Sequence, residues 1–211
     1  MMFTNFAGMA RAAVWSAVLP LIVLFNGCAI GPPARDAVIG YDLGPQTVTA
    51  TAGSASRVPL MVPEASAPAW LDSTGIVYRL TYLDSARPQV YAQSRWVDSP
   101  AALLTQRMRT RFAAVGPVVN GRDGARADYA LQVEIEDFSQ IFENPDSSKV
   151  SIRLRVSLVN LASRTLIAQR TFSLNESAGA DAKGAVRAFA HGTDNILENI
   201  VDWTRSNLKG V

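Results

Sequence analysis

From Tyr129 to Leu174 apolar and polar residues alternate with a period of two. Tyr129, Leu131, Val133 and Ile135 share one face, against Gln132, Glu134 and Glu136 on the other. Val150, Ile152, Leu154, Val156 and Leu158 oppose Ser151, Arg153, Arg155 and Ser157; Leu166, Ala168, Phe172 and Leu174 continue the inward set, with Gln169 and Thr171 outward. Side chains along a strand point to opposite faces in turn, so this pattern predicts three consecutive antiparallel strands with one packed face. Across the first hairpin Glu134 and Glu136 would meet Arg153 and Arg155. They read as solvated ion pairs rather than an acid/base couple, because neighbouring arginines favour ionised carboxylates. The link Phe142 to Lys149 (FENPDSSK) is longer than a tight hairpin needs. Loop tips often carry contact residues, which makes Phe142 a candidate partner contact; folding back onto the sheet is the alternative.

The preceding stretch, Trp70 to Phe112, reads as strand, turn, strand, helix. Ile76 to Tyr82 is rich in β-branched and aromatic residues, Asp84 to Pro88 breaks the run, and Gln89 to Trp96 alternates again. Ser99-Pro100 is a capping serine followed by a proline at the first helical position, where its missing N–H costs nothing. Leu104, Met108, Phe112 and Val115 then line one side of the helix, and Arg107 and Arg111 share another. Ala37 to Leu43 reads as a first strand and Leu60 to Val62 as a second, joined by a small-residue connection, 44–57, expected to be flexible. Val118-Val119 is a brief strand.

Toward the carboxyl end, Asp181 is a candidate N-cap for a long amphipathic helix whose apolar positions include Val186, Phe189, Ile196, Leu197, Ile200 and Val201. Gly192 interrupts it at a cost of about 1 kcal/mol and marks a possible bend. The predicted fold class is therefore α+β: a two-layer sandwich, mainly antiparallel, with two helices packed on one face.

Residues 1–27 read as a targeting segment: Arg11, an apolar core from Ala12 to Phe25, then Asn26-Gly27-Cys28. A small residue directly before the sole cysteine is the pattern of a bacterial lipoprotein signal, cleaved between Gly27 and Cys28. The apolar run contains Pro20 and is shorter than the roughly 20 residues that span a bilayer. On this reading Cys28 is the new, acylated amino terminus, carrying S-diacylglycerol and N-palmitoyl groups, and 28–36 is a tether. Two or three acyl chains, at ~0.8 kcal/mol per buried methylene, make attachment effectively permanent. Removing 27 residues from 211 leaves 184, one domain's worth, with the domain itself at 37–211 after the tether. A formal charge of +2 with no long basic run gives no reason to expect nucleic acid.

The run VPEASAPAWLDSTGIVYR followed by YAQSRWVDSPAALLTQRM resembles the signature of the ABC-type transport auxiliary lipoproteins, the PqiC-like proteins associated with MCE-domain lipid transporters. The first family element is met by Pro68, Trp70-Leu71-Asp72, Ile76-Val77 and Arg79, with Ala67 in place of the usual valine. The second is met by Arg95-Trp96, Leu103-Leu104 and Arg107-Met108. The resemblance implies a small module with two helices on a curved sheet and no ATPase activity of its own. It implies an MCE-domain periplasmic protein as direct partner, an ABC ATPase and permease as indirect ones, and a possible homo-oligomer. Ala29, in place of the aspartate that retains such proteins at the inner membrane in enterobacteria, implies the outer membrane, with the domain facing the periplasm. Trp70, Leu71, Asp72, Arg95 and Trp96 are the candidate docking residues, the tryptophans and Leu71 being equally readable as core and Asp72 as a turn or cap residue.

No enzyme chemistry is expected. A single histidine, His191, and no cysteine beyond Cys28 build neither a zinc site nor a histidine triad, and no phosphate-binding loop or nucleophile elbow appears. Neither cofactor nor metal is expected. The competing readings are a structural envelope lipoprotein without an MCE partner, a periplasmic lipid-binding protein, which would need an apolar cavity, and, least supported, a hydrolase.

Overall fold

In a computed structural model, residues 37–46, 58–121 and 123–208 are described. The targeting segment, Cys28, the tether and most of the 44–57 connection lie outside them. The elements run β1 (Ile39–Tyr41), β2 (Leu60–Met61), β3 (Gly75–Leu80), β4 (Pro88–Trp96), α1 (Pro100–Ala113), β5 (Val118–Val119), β6 (Tyr129–Asn144), β7 (Ser147–Asn160), β8 (Thr165–Ala178) and α2 (Ala182–Leu208).

Strand β6 is the spine. One of its edges pairs antiparallel with β7 along its length, and β7 pairs antiparallel with β8. Its other edge is shared by segments from earlier in the chain, all parallel to it. Leu60–Met61 lie beside Tyr129–Ala130, Ser66 bridges at Glu134, and Tyr78–Leu80 lie beside Gln140–Phe142. From β3 the sheet continues to β4, antiparallel, and then to β1, parallel; from β2 it continues to β5, parallel. The expected mainly antiparallel sandwich is thus corrected to a mixed sheet that curls, with four parallel ladders and three antiparallel ones among the described residues. Parallel neighbours need a long crossover. The path from β3 through β4, α1 and β5 to β6 supplies one, and alternation within a strand carries no information about it.

Alternation holds until a bulge resets it. Val150, Ile152, Leu154, Val156 and Leu158 are all fully buried. In β6 the register skips Glu136, so odd positions face inward before it (Leu131, Val133, Ile135) and even positions after it (Phe138, Gln140, Phe142). The two strands extend to a tight turn at Pro145-Asp146, with Asn144 opposite Ser147. Phe142 is therefore a strand residue, 7 % exposed, and not a loop-tip contact. A second skip, at Ile167, turns Leu166 outward to 56 % exposure, against its expected inward position.

Both helices begin as their sequences predict. Ser99 Oγ accepts from the Ala102 N–H at 3.3 Å with Pro100 in the first turn, and Asp181 Oδ1 accepts from the Gly184 N–H. Helix α2 lies against β7 and β8, with α1 beside it. Gly192 sits inside a continuous α2 at a close approach: a Cβ there would lie 2.9 Å from Leu174 Cδ2 and 3.2 Å from Ile152 Cδ1.

Candidate docking surface and the joints behind it

The residues of the two family-like elements divide into those that build the domain and those left at its surface. Trp96, at the end of β4, is 1 % exposed and stands near Phe138 of β6 and Phe189 of α2, with ring centroids 6.0 and 5.7 Å away. Phe138 and Phe189 stack at 4.2 Å and 16°. This aromatic triad joins the sheet to α2, so Trp96 is core and not a surface contact. Leu71 is likewise buried, at 1 %. Trp70 is half-buried, with the Arg79 guanidinium 4.9 Å over its ring. Asp72 is exposed and closes a turn, its N–H donating to Pro68 O at 3.1 Å, and Arg95 is exposed on β4. Of the sequence candidates, Trp70, Asp72 and Arg95 present surface, whereas Leu71, Trp96 and Phe142 do not.

Arg107 carries more than its place on a helix face suggested. Almost fully buried, it donates from Nε to Asp194 Oδ1 at 2.8 Å and from Nη2 to Asp194 Oδ2 at 2.7 Å. Its Nη1 donates to Leu43 O at 3.0 Å and Gly44 O at 2.9 Å. One guanidinium thus ties α1 to α2 and to the segment leaving β1. One turn on, Arg111 pairs with Glu198 of α2 at the surface. The signal available in the sequence was an arginine one helical turn before Arg111, with Asp194 and Glu198 at matching spacing in the second helix.

A second joint closes the far end of the sheet. Gln140, fully buried, accepts at Oε1 from the Tyr91 hydroxyl at 2.7 Å, and its Nε2 donates to Ser148 Oγ and Gly179 O. The Tyr91 pKa is pushed up to about 12, chiefly by burial, then by Tyr78 and Asp181, so the hydroxyl stays a donor at neutral pH. A buried glutamine in Asp137-Phe138-Ser139-Gln140 leaves no sequence signal, because the bulge at Glu136 hides which face it occupies.

The outer face of β6 and β7 carries the expected ion pairs. Arg155 bonds Glu134 directly opposite and lies 3.7 Å from Glu136, and its own pKa is raised, first by the hydrogen bond to Glu134 and then by that carboxylate's charge. Arg153 faces Asp137 instead of Glu136, again because of the bulge. His191, exposed, has Nδ1 3.1 Å from Glu176 Oε1. No cluster of three metal-ligating side chains occurs among the described residues, and no described helix is long and apolar enough to cross a membrane. An open groove of about 730 Å³ between β8 and α2 is lined by Phe172 and Trp203, edge-on at 5.8 Å, and by Arg170, Asn199 and Asp202. Its lining mixes charged and apolar groups, unlike a pocket for an acyl chain.

The fold has solved counterparts. Protein XCC0632 from Xanthomonas campestris is similar at 21 % identity and a TM-score of 0.71, over 82 % of this chain and 98 % of that one. An uncharacterized protein matches at 17 % identity and 0.60, over 80 % and 99 %. The hypothetical protein CT253 from Chlamydia trachomatis matches at 8 % identity and 0.50, over 72 % and 96 %. At such identities these likenesses speak for the fold alone. No curated protein matches the sequence. The family described as the ABC-type transport auxiliary lipoprotein component matches residues 41–201, from the end of β1 to within α2. The chain belongs to the ABC-type transport auxiliary lipoprotein family.

Proposed function

We propose that this chain is a non-catalytic subunit of an MCE/ABC-type lipid transport system. Acyl groups on Cys28 anchor it to the outer membrane, and its domain docks the MCE protein from the periplasmic side, supporting phospholipid trafficking and envelope integrity. The observation that carries this reading is the family match across residues 41–201, a family of transport components and not of enzymes. The half-buried Trp70 with Arg79 over its ring is an aromatic–arginine pair of the sort that interfaces favour, and Asp72 and Arg95 are exposed. The ABC ATPase and permease are reached through the MCE protein.

The test is affinity capture of the full chain from solubilised envelopes, with identification of the proteins retained. An MCE-domain protein that is lost on Trp70→Ala and Arg95→Glu supports the reading. Capture without any MCE protein leaves a structural envelope lipoprotein. Metabolic labelling with an alkyne fatty acid checks the anchor. Label on the wild type and none on Cys28→Ser is expected, and label on the serine variant removes Cys28 as the site.

A further inference from the structure

Seven large apolar side chains are strongly exposed among the described residues, and six of them lie in or beside β1 and the β3–β4 hairpin. These are Val38, Ile39, Tyr82, Leu83, Val90 and Val97; only Leu166, on β8, lies elsewhere. Scattered apolar residues need no explanation, but a cluster on one edge does. Leu83, at the hairpin tip, is 71 % exposed. The tip is not a loose loop. The Leu83 and Asp84 N–H groups both donate to Leu80 O at 2.9 Å, Ala86 N donates to Asp84 Oδ1 at 2.9 Å, and Arg79 Nη1 donates to Ser85 O at 3.3 Å. Tyr82 and Leu83 are held outward by an ordered turn.

The direction of β1 relates them to the anchor. β1 runs parallel to β4, with Ile39 beside Ser94 and Tyr41 beside Trp96, so it runs away from the hairpin tip. Of the described residues of this segment, Ala37 is therefore the end nearer the tip. Ser94 lies six steps along the strand from Pro88, about 20 Å. Ala37 is nine steps along the chain from Cys28, which fully extended reach about 32 Å. That reach exceeds the length of strand between the start of β1 and the tip, so an acylated Cys28 is tethered close enough for the tip to meet the same bilayer.

We propose that the β3–β4 tip, led by Leu83 and Tyr82, rests in the interfacial layer of the bilayer that holds the acyl chains. Tyr82 supplies an aromatic ring with a polar end, which suits the headgroup level, and the exposed Arg87 supplies a cation for lipid phosphates. The domain then stands in one orientation with β8 turned away, instead of swinging on its tether. This rests on Cys28 being acylated.

The acylated full chain has no free thiol once Cys28 is modified, so Leu83→Cys and, separately, Leu166→Cys each introduce a single labelling site at an exposed position. Each is labelled with the same environment-sensitive fluorophore and reconstituted into phosphatidylethanolamine–phosphatidylglycerol vesicles containing brominated lipid. The expected result is flotation of both proteins, with a blue shift and loss of fluorescence at position 83 and neither at position 166. Flotation with no quenching at 83, or equal quenching at both sites, overturns the oriented contact and leaves the anchor standing. Failure to float overturns the anchor and the contact with it.

Discussion

Arg107 of α1 and Asp194 of α2 meet through two parallel hydrogen bonds at 2.8 and 2.7 Å, while the remaining guanidinium nitrogen holds the carbonyls of Leu43 and Gly44. Removing one partner of a buried pair costs more than the pair contributes, because the other is left uncompensated. Arg107→Ala should therefore destabilise by about 3 kcal/mol, toward the low end for buried pairs since Asp194 is a third exposed. Arg111→Ala, whose partner Glu198 is mostly exposed, should cost under about 1 kcal/mol. Urea midpoints of the two variants against wild type measure the contrast.

Trp96→Ala should cost about 3–5 kcal/mol by opening the aromatic triad. Trp70→Ala should cost only about 1 kcal/mol, for a half-buried ring and its arginine. If Trp70 works at the docking surface, its variant keeps a near-native thermal midpoint while losing the captured partner. A Trp70 variant that unfolds as readily as the Trp96 one would make it core.

Burial, then Tyr78 and Asp181, push the Tyr91 hydroxyl up from the ordinary 10.0 to about 12. A raised pKa means the folded state holds its proton longer, so this contribution is complete below about pH 10 and is lost as pH rises through about 12. Tyr91→Phe leaves Gln140 Oε1 buried without the Tyr91 donor, and should cost about 1–3 kcal/mol at neutral pH. The gap between wild type and variant should then narrow from pH 10 upward, and denaturant melts across that range follow it. A constant gap would show that the hydroxyl's proton is not what matters.

Gly184 packs against Gly179 so closely that a Cβ would lie 2.6 Å from the Gly179 Cα, backbone against backbone. Gly184→Ala must displace the start of α2, and should destabilise by at least the 1–3 kcal/mol typical of overpacking. Gly192→Ala meets only the ends of Leu174 and Ile152, and alanine recovers helix propensity of about 1 kcal/mol, so it should come out near neutral. Circular dichroism melts of the pair distinguish the two glycines.

Much of this was legible in the residues themselves. Val150 to Leu158 alternated without a bulge, and its five apolar positions read correctly, although Ser151 on the other face is buried as well. Ser99-Pro100 and Asp181 announced their helices because capping is local chemistry. Leu166 was misplaced because one extra residue, Ile167, flips the faces on either side of it; Phe142 was misplaced because β6 and β7 run on to a tight turn where the sequence suggested a long link. The parallel partners of β6 were invisible because each pairs over two or three residues and comes from far up the chain. The anchoring arginine was visible but unassigned, since its aspartate lies 87 residues away.

Strand β6 holds on one edge β2, Ser66 and β3, all of them made before it. Synthesis runs amino end first, so each of those segments keeps its β6-facing edge open until its partner, between Tyr129 and Phe142, has arrived. A two-stranded hairpin such as β3–β4 is marginal by itself. The nascent first half of this domain is consequently a waiting state with open edges, and its burden on whatever escorts unfinished chains should fall once Phe142 is clear.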